Sequence, residues 1–447
     1  MSGGSAWTGV AVAAVTAGYA LFSRRLASTA VSAPMVFSGL GVLIGPVGLD
    51  VLDLRHDAGP VLTLVEAALA LVLFTNAMTV RRQDLRTGGF LPLRLLAIGL
   101  PLSIGVGWLL AWPLLPGLTM WEFALLGAIL APTDAALGKT AVSSPRVPAL
   151  VRRGINVESG LNDGLALPFF LLFLAALPGT ATAEEGVDGV FWRALALSTA
   201  LGLAVGWVGA WLLLRSRARG WVTREWREVY VLAVALGSYN LAVATDGSGF
   251  ISAWVAGFAF GVALRRQEPV TVSGKRTDER TDERTDERTT ADLADYVGGL
   301  LATLSFLIFG AVLLGPALEQ LDWRIVTYAV LSLTVVRMVP VAISLAGSGF
   351  RLPTVAYIGW FGPRGLASIT FGLLAVEESV PGIDLLGTAM SVTVGLSILV
   401  HGMSAAVLAN RYGGWYEAAT AATPDLREAT GVPEAAEHRQ PGHRRLR

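Results

Sequence analysis

The stretch Arg153–Phe170, RGINVESGLNDGLALPFF, sets four polar side chains, Glu158, Ser159, Asn162 and Asp163, inside an otherwise apolar run. At 3.6 residues per turn Glu158 lies one turn before Asn162, and Ser159 one turn before Asp163. Their oxygens therefore cluster on two adjacent faces of one helix turn. A carboxylate near the centre of a bilayer costs about 2.5–3.5 kcal/mol on insertion scales, so an acid there marks a functional site and needs partners.

The surroundings are those of a membrane. Hydrophobic residues make up 53% of the 447 and charged residues 15%, with a mean hydropathy of +0.58. A soluble domain with a wet surface does not show this balance, and the fold class expected is an all-α polytopic membrane protein. The formal net charge of +0 points to no nucleic-acid partner, and the absence of cysteine removes disulfides and thiolate metal sites. The apolar run from Ala6 to Phe22 has no basic segment before it and no cleavage site after it, so it is expected to stay as the first span.

Apolar segments that could cross a bilayer number about thirteen. They fall near 6–22, 28–48, 59–79, 90–112, 119–142, 150–177, 190–214, 227–245, 248–264, 293–315, 323–347, 352–376 and 384–408. Basic and acidic connections alternate: Arg24 and Arg25, then Asp50, Asp53 and Asp57, then Arg81, Arg82 and Arg86, and so on to Arg351 and then Glu377, Glu378 and Asp384. Lys and Arg mark the cytoplasmic side, which puts the N-terminus outside and the C-terminus in the cytoplasm. Residues 1–410 form the expected transmembrane domain. The charged linker 265–292, with TDER repeated three times, and the tail 411–447 have too few apolar residues to bury a face and are expected to be disordered.

Two spans are interrupted. The fifth carries Pro132, Thr133 and Asp134 in APTDAALGKT, and the twelfth carries Gly362, Pro363, Arg364 and Gly365 in WFGPRGLAS. Their odd offset makes them antiparallel, as in two inverted repeats, spans one to six and eight to thirteen, whose broken helices cross. Backbone groups freed at such breaks must be met by side chains, ions or water, which makes the crossing the place to expect an ion site.

These residues resemble the monovalent cation/proton antiporters of the sodium/proton exchanger type. ESGLNDG is similar to that family's ES-x-x-ND motif in the sixth span, and PTDA and GPRGLAS fit in the same order. One departure is Ala135, where the family commonly has Pro after the Asp. The resemblance implies a mobile core bundle (spans 4–6 and 11–13), a dimerisation bundle made of the other spans, a homodimer, and exchange of sodium, lithium or potassium for protons. It also implies an electroneutral branch, because Asn162 stands where other antiporters carry a second Asp. A prokaryotic inner membrane is the expected location.

Asp163 is then the carrier, a carboxylate that binds either a hard monovalent cation or a proton. Ser159 and Thr133 are candidate oxygen ligands for the cation, unless each hydroxyl bonds back to its own helix. Glu158 and Arg337 match a family ion pair. Asp134 and Arg364 stand at the two breaks, where each can offset a helix-end partial charge. Glu66, in the third span, faces either the cavity or the core. His56 and His401 are taken as solvated or satisfied residues, and Lys139 as snorkelling to the cytoplasmic surface. No cofactor is expected, since the cation is cargo and no phosphate-binding glycine loop occurs.

Two other readings compete with exchange. A cation channel or uniporter could use the same acid, although inverted broken helices favour alternating access. An intramembrane aspartyl protease would use Asp134 with Asp163, but neither lies in a YD or GxGD setting.

Overall fold

The computed structural model describes residues 3–26, 29–51, 58–80, 90–135, 137–138, 141, 143–180, 187–266, 292–423 and 426–429. His56, Lys139, Glu184, Glu185, the TDER repeat and residues 430–447 lie outside them. The described residues form helices and no strand. In chain order these are α1 (Gly3–Leu26), α2 (Ala33–Ile44), α3 (Ala58–Thr79), α4 (Phe90–Leu114), α5 (Met120–Ile129), α6 (Ala149–Ala175), α7 (Val187–Ala218), α8 (Arg224–Val243), α9 (Gly249–Arg266), α10 (Leu293–Glu319), α11 (Trp323–Ser344), α12 (Leu352–Trp360), α13 (Leu366–Glu377) and α14 (Ile383–Ala422).

Seven of the described helices, α3, α4, α6, α7, α10, α11 and α14, are long and apolar enough to cross a membrane. Helices α2, α5, α9, α12 and α13 fall short of the roughly 20 residues a full crossing takes. Helix α2 ends before Gly45-Pro46, and α5 and α13 are short because each is half of an interrupted segment. Helices α4 and α10 each contain one wide turn, Leu95–Gly99 and Phe309–Leu314. In each the bond closing the turn skips a residue, Leu100 N–H to the Leu95 carbonyl and Gly315 N–H to the Gly310 carbonyl. Pro101 and Pro316 follow directly. A proline ring has no N–H and pushes on the carbonyl four residues earlier, so the turn before it widens.

Helix α9 packs along α3 and α7, and α10 packs along α3. Leu71, Phe74, Leu213 and Phe260 are buried between them. A second body of contacts joins α4 to α5 and α11, α6 to α5, and α13 to α14. There the rings of Phe170 on α6 and Phe371 on α13 stack at 4.9 Å. Arginines close several helix ends: Arg265 donates to the Met78 and Val80 carbonyls that end α3 (3.0 and 2.7 Å), and Arg94 to the Ala346 carbonyl beyond α11 (2.9 Å).

The expected disorder from residue 411 needs correcting for its described part. Helix α14 runs on to Ala422, and a short turn, Arg427–Ala429, packs back on the fold. The extension is held by aromatic packing: Tyr412, buried, stacks on Tyr357 at 4.3 Å and on Trp415 at 5.5 Å. Glu428, also buried, accepts from the Arg351 N–H (2.9 Å) and the Thr354 hydroxyl (2.7 Å) at the start of α12.

Candidate functional site

Helix α5 stops because Pro132 cannot continue its hydrogen-bond ladder, and α12 stops before Pro363 for the same reason. The two broken ends meet main chain to main chain, the Asp134 N–H donating to the Pro363 carbonyl at 2.7 Å. Each break also sends a charged side chain to the other. Arg364, fully buried, donates through Nη1 to the Ala131 and Pro132 carbonyls (2.6 and 3.3 Å), at the negative end of α5. Asp134 Oδ2 accepts from the Leu366 N–H at 3.4 Å, at the positive end of α13. A helix end carries roughly half an elementary charge, so the two side chains neutralise the opposing ends crosswise.

Glycine permits this approach. A Cβ on Gly365 would meet the Asp134 carboxylate, and one on Gly362 would meet the Arg337 guanidinium. Arg337 in turn forms a two-pronged ion pair with Glu158, Nη1 to Oε1 at 2.7 Å and Nη2 to Oε2 at 2.9 Å. Both residues are buried, so the charges are desolvated together and their geometry is fixed.

On the same turn of α6, Ser159 spans the first break. Its hydroxyl donates to the Thr133 carbonyl (2.6 Å) and accepts from the Ala135 N–H (2.8 Å). Among the described residues neither hydroxyl bonds back to its own segment, since that of Ser159 donates across the break and that of Thr133 meets Asn162. Asn162 Nδ2 donates to Thr133 Oγ1 at 2.5 Å. What remains are two enclosed oxygens, Asn162 Oδ1 and Asp163 Oδ1, buried with no hydrogen-bond partner among the described residues. A buried acceptor without a donor is costly, and a cation or a proton relieves it. Among the described residues no three His, Cys, Asp or Glu side chains converge as a metal cluster. The donors here are one carboxylate with amide and hydroxyl oxygens, a set that suits a weakly held monovalent cation.

The sequence-derived candidates thus gather at one place, with one exception. Glu66 is half-buried and lies close to Tyr239 on α8 and to Glu377. Asn76 on the same helix touches Gly160, and Glu66 lies ~15 Å of helical rise away from it. Sequence reasoning passed over Glu122, Glu428 and the role of His401. Glu122 Oε2 accepts from the N–H of Thr119, the residue that caps α5 (2.6 Å), and its Oε1 accepts from the Gly382 N–H (2.6 Å) before α14. The spacing TMWE at 119–122 is a readable capping-box signal for the first of these bonds.

The arrangement has counterparts. The model of the family described as "Sodium/hydrogen exchanger, transmembrane" matches residues 11–411. The K(+)/H(+) antiporter NhaP of Alkalimonas amylolytica is 24% identical over 386 residues, 85% of this chain and 62% of that protein. The Na(+)/H(+) antiporter 2 of Zygosaccharomyces rouxii is 24% identical over 352 residues, 68% and 40% respectively. The chain therefore spans less than two thirds of the length of these relatives. The structure of the sodium proton antiporter MjNhaP1 from Methanocaldococcus jannaschii at pH 8 superposes with a TM-score of 0.74 at 19% identity, covering 92% of this chain and 99% of that one. A family match across nearly the whole chain, on an all-helical fold with crossed breaks, makes this a multi-pass membrane protein of the transmembrane sodium/hydrogen exchanger family.

Proposed function

We propose that the protein is a secondary transporter exchanging a monovalent cation, sodium, potassium or lithium, for a proton, with both competing for Asp163. The observation that carries this is the enclosed pair of unpartnered oxygens on Asn162 and Asp163 beside two crossed helix breaks. The relatives named as Na(+)/H(+) and K(+)/H(+) antiporters support the same reading and leave the cation open between them. Thr133 and Ser159 would supply further oxygens. Thr133 is the freer of the two, because both roles of the Ser159 hydroxyl are engaged across the break.

Exchange follows if only the occupied site can cross, since an empty carboxylate would carry an uncompensated charge through the apolar phase. With Asn at 162 the cation-loaded and proton-loaded sites have equal charge, so exchange is one for one and electroneutral. The reading includes thirteen crossings with the N-terminus outside and the C-terminus in the cytoplasm. It also includes a core bundle (spans 4–6 and 11–13) moving against a dimerisation bundle, a homodimer, and a plasma-membrane location.

Everted vesicles holding a proton gradient reported by a pH-sensitive dye provide the test. Adding sodium or potassium should dissipate the gradient at a rate indifferent to membrane potential, and Asp163→Asn should abolish the response while leaving the amount of folded protein unchanged. Cation conductance without proton movement would favour the channel reading, and a steady transport current would refute one-for-one exchange.

A further inference from the structure

Helix α14 presents Ser397, His401 and Ser404 on one face, at i, i+4 and i+7, toward the break between α12 and α13. Ser397 and His401 are fully buried. The Arg364 N–H, just past Pro363, donates to Ser397 Oγ at 2.7 Å. The His401 ring sits with Nδ1 3.1 Å from Ser397 Oγ and 3.0 Å from the Ser397 carbonyl, and with Nε2 3.0 Å from the carbonyl of Trp360, the last residue of α12. Trp360 Nε1 donates to Ser404 Oγ at 3.0 Å, so the indole and the imidazole hold the same helix end together.

Only one neutral tautomer gives both ring nitrogens a hydrogen-bond partner. Each ring nitrogen lies 3.0 Å from a carbonyl, which can only accept. A proton on Nδ1 would leave the Nε2 lone pair against the Trp360 carbonyl with no donor, whereas a proton on Nε2 reaches Trp360 and leaves Nδ1 beside the Ser397 hydroxyl. In neutral imidazole Nδ1 is then an acceptor, and its one available donor is the Ser397 hydroxyl, whose oxygen meanwhile accepts from Arg364. The chain Arg364 N–H to Ser397 O–H to His401 Nδ1, and His401 Nε2–H to the Trp360 carbonyl, joins the two sides of the break through two side chains. In the other broken segment Ser159, four residues before Asp163, joins the Thr133 carbonyl to the Ala135 N–H in the same manner. Ser397 stands four residues before His401, so the two helices that follow the breaks use one plan, a bridging serine with a chemically committed residue one turn later.

We infer that His401 and Ser397 are positioning residues for transport: as an Nε2–H imidazole clasp they hold the α12–α13 break in register and so keep Arg364 aimed at the end of α5. This rests on the proposed exchange for its kinetic consequence, but the clasp itself is tested separately. Gln can place a donor near the Nε2 position and an acceptor toward Ser397. Asn reaches only the Nδ1 position, and Phe offers neither.

The first measurement is nitrogen-15 solid-state NMR of the full chain, histidine-labelled, in lipid. A pyrrole-type Nε2 with a pyridine-type Nδ1 at position 401, assigned by its loss in His401→Gln, is expected; the opposite tautomer or an imidazolium would overturn the clasp. The second is exchange per folded protein. His401→Gln should stay near the wild-type rate, while His401→Asn and His401→Phe should fall roughly tenfold or more. The loss should lie in maximal rate, with the apparent KM for the cation within about twofold, because the Asp163 ligands are untouched. If His401→Phe fails to fold, the Gln and Asn pair decides: Gln active with Asn slowed supports the inference, and wild-type rates in both overturn it. Absence of exchange in the wild type would remove the proposed function and leave the tautomer result standing.

Discussion

At the scale of single residues, Glu158 and Arg337 show how a charge inside an apolar helix announces itself. An acid in the middle of INVESGLNDG cannot be left unpaired, so the sequence demands a cation from elsewhere, and the two-pronged pair at 2.7 and 2.9 Å supplies it. Replacing either residue by Ala should destabilise the protein by about 3–5 kcal/mol, since the partner is then buried without compensation. The double replacement should be more stable than the worse single. Thermal unfolding in detergent, followed by tryptophan fluorescence, checks this, and a double variant no better than the worse single would break the pairing argument. Glu122, His401 and Glu428 were less legible for a physical reason. Each is satisfied by a segment remote in sequence, Gly382, Trp360 and Arg351, and nothing local reveals that meeting.

At the scale of elements, the breaks were legible and their mutual contact was not. Proline and glycine within apolar segments show where a helix stops, but not that Asp134 and Arg364 each serve the other helix. Gly365→Ala puts a methyl group where the Asp134 carboxylate lies. We expect it to lower stability by about 1–3 kcal/mol, the usual cost of overpacking, and to slow exchange per folded protein sharply; wild-type stability and rate together would show that the close contact is unimportant. Ala135→Pro removes the N–H that Ser159 accepts. That frees a lone pair on the Ser159 hydroxyl, and the apparent cation KM should change while Asp163 is untouched; an unchanged KM would place Ser159 outside the cation's coordination. The end of α14 was misjudged because hydropathy fades before residue 411, whereas the Tyr357–Tyr412 stack that prolongs the helix depends on tertiary packing.

At the scale of the whole molecule, α14 is ~60 Å long at 1.5 Å per residue, about twice the hydrocarbon thickness of a bilayer. One end therefore extends beyond the membrane, carrying Tyr412 and Trp415, while Ser397 and His401 reach the break from within the same helix. In the proposed exchange one carboxylate, framed by crossed breaks, carries a cation or a proton and never both. Proton release on cation binding tests it most directly, with purified full-length protein in weakly buffered detergent, titrated with sodium or potassium under a pH electrode. About one proton should be released per cation bound, with neither binding nor release in Asp163→Asn. Cation binding without proton release, or unchanged release after that substitution, would contradict it.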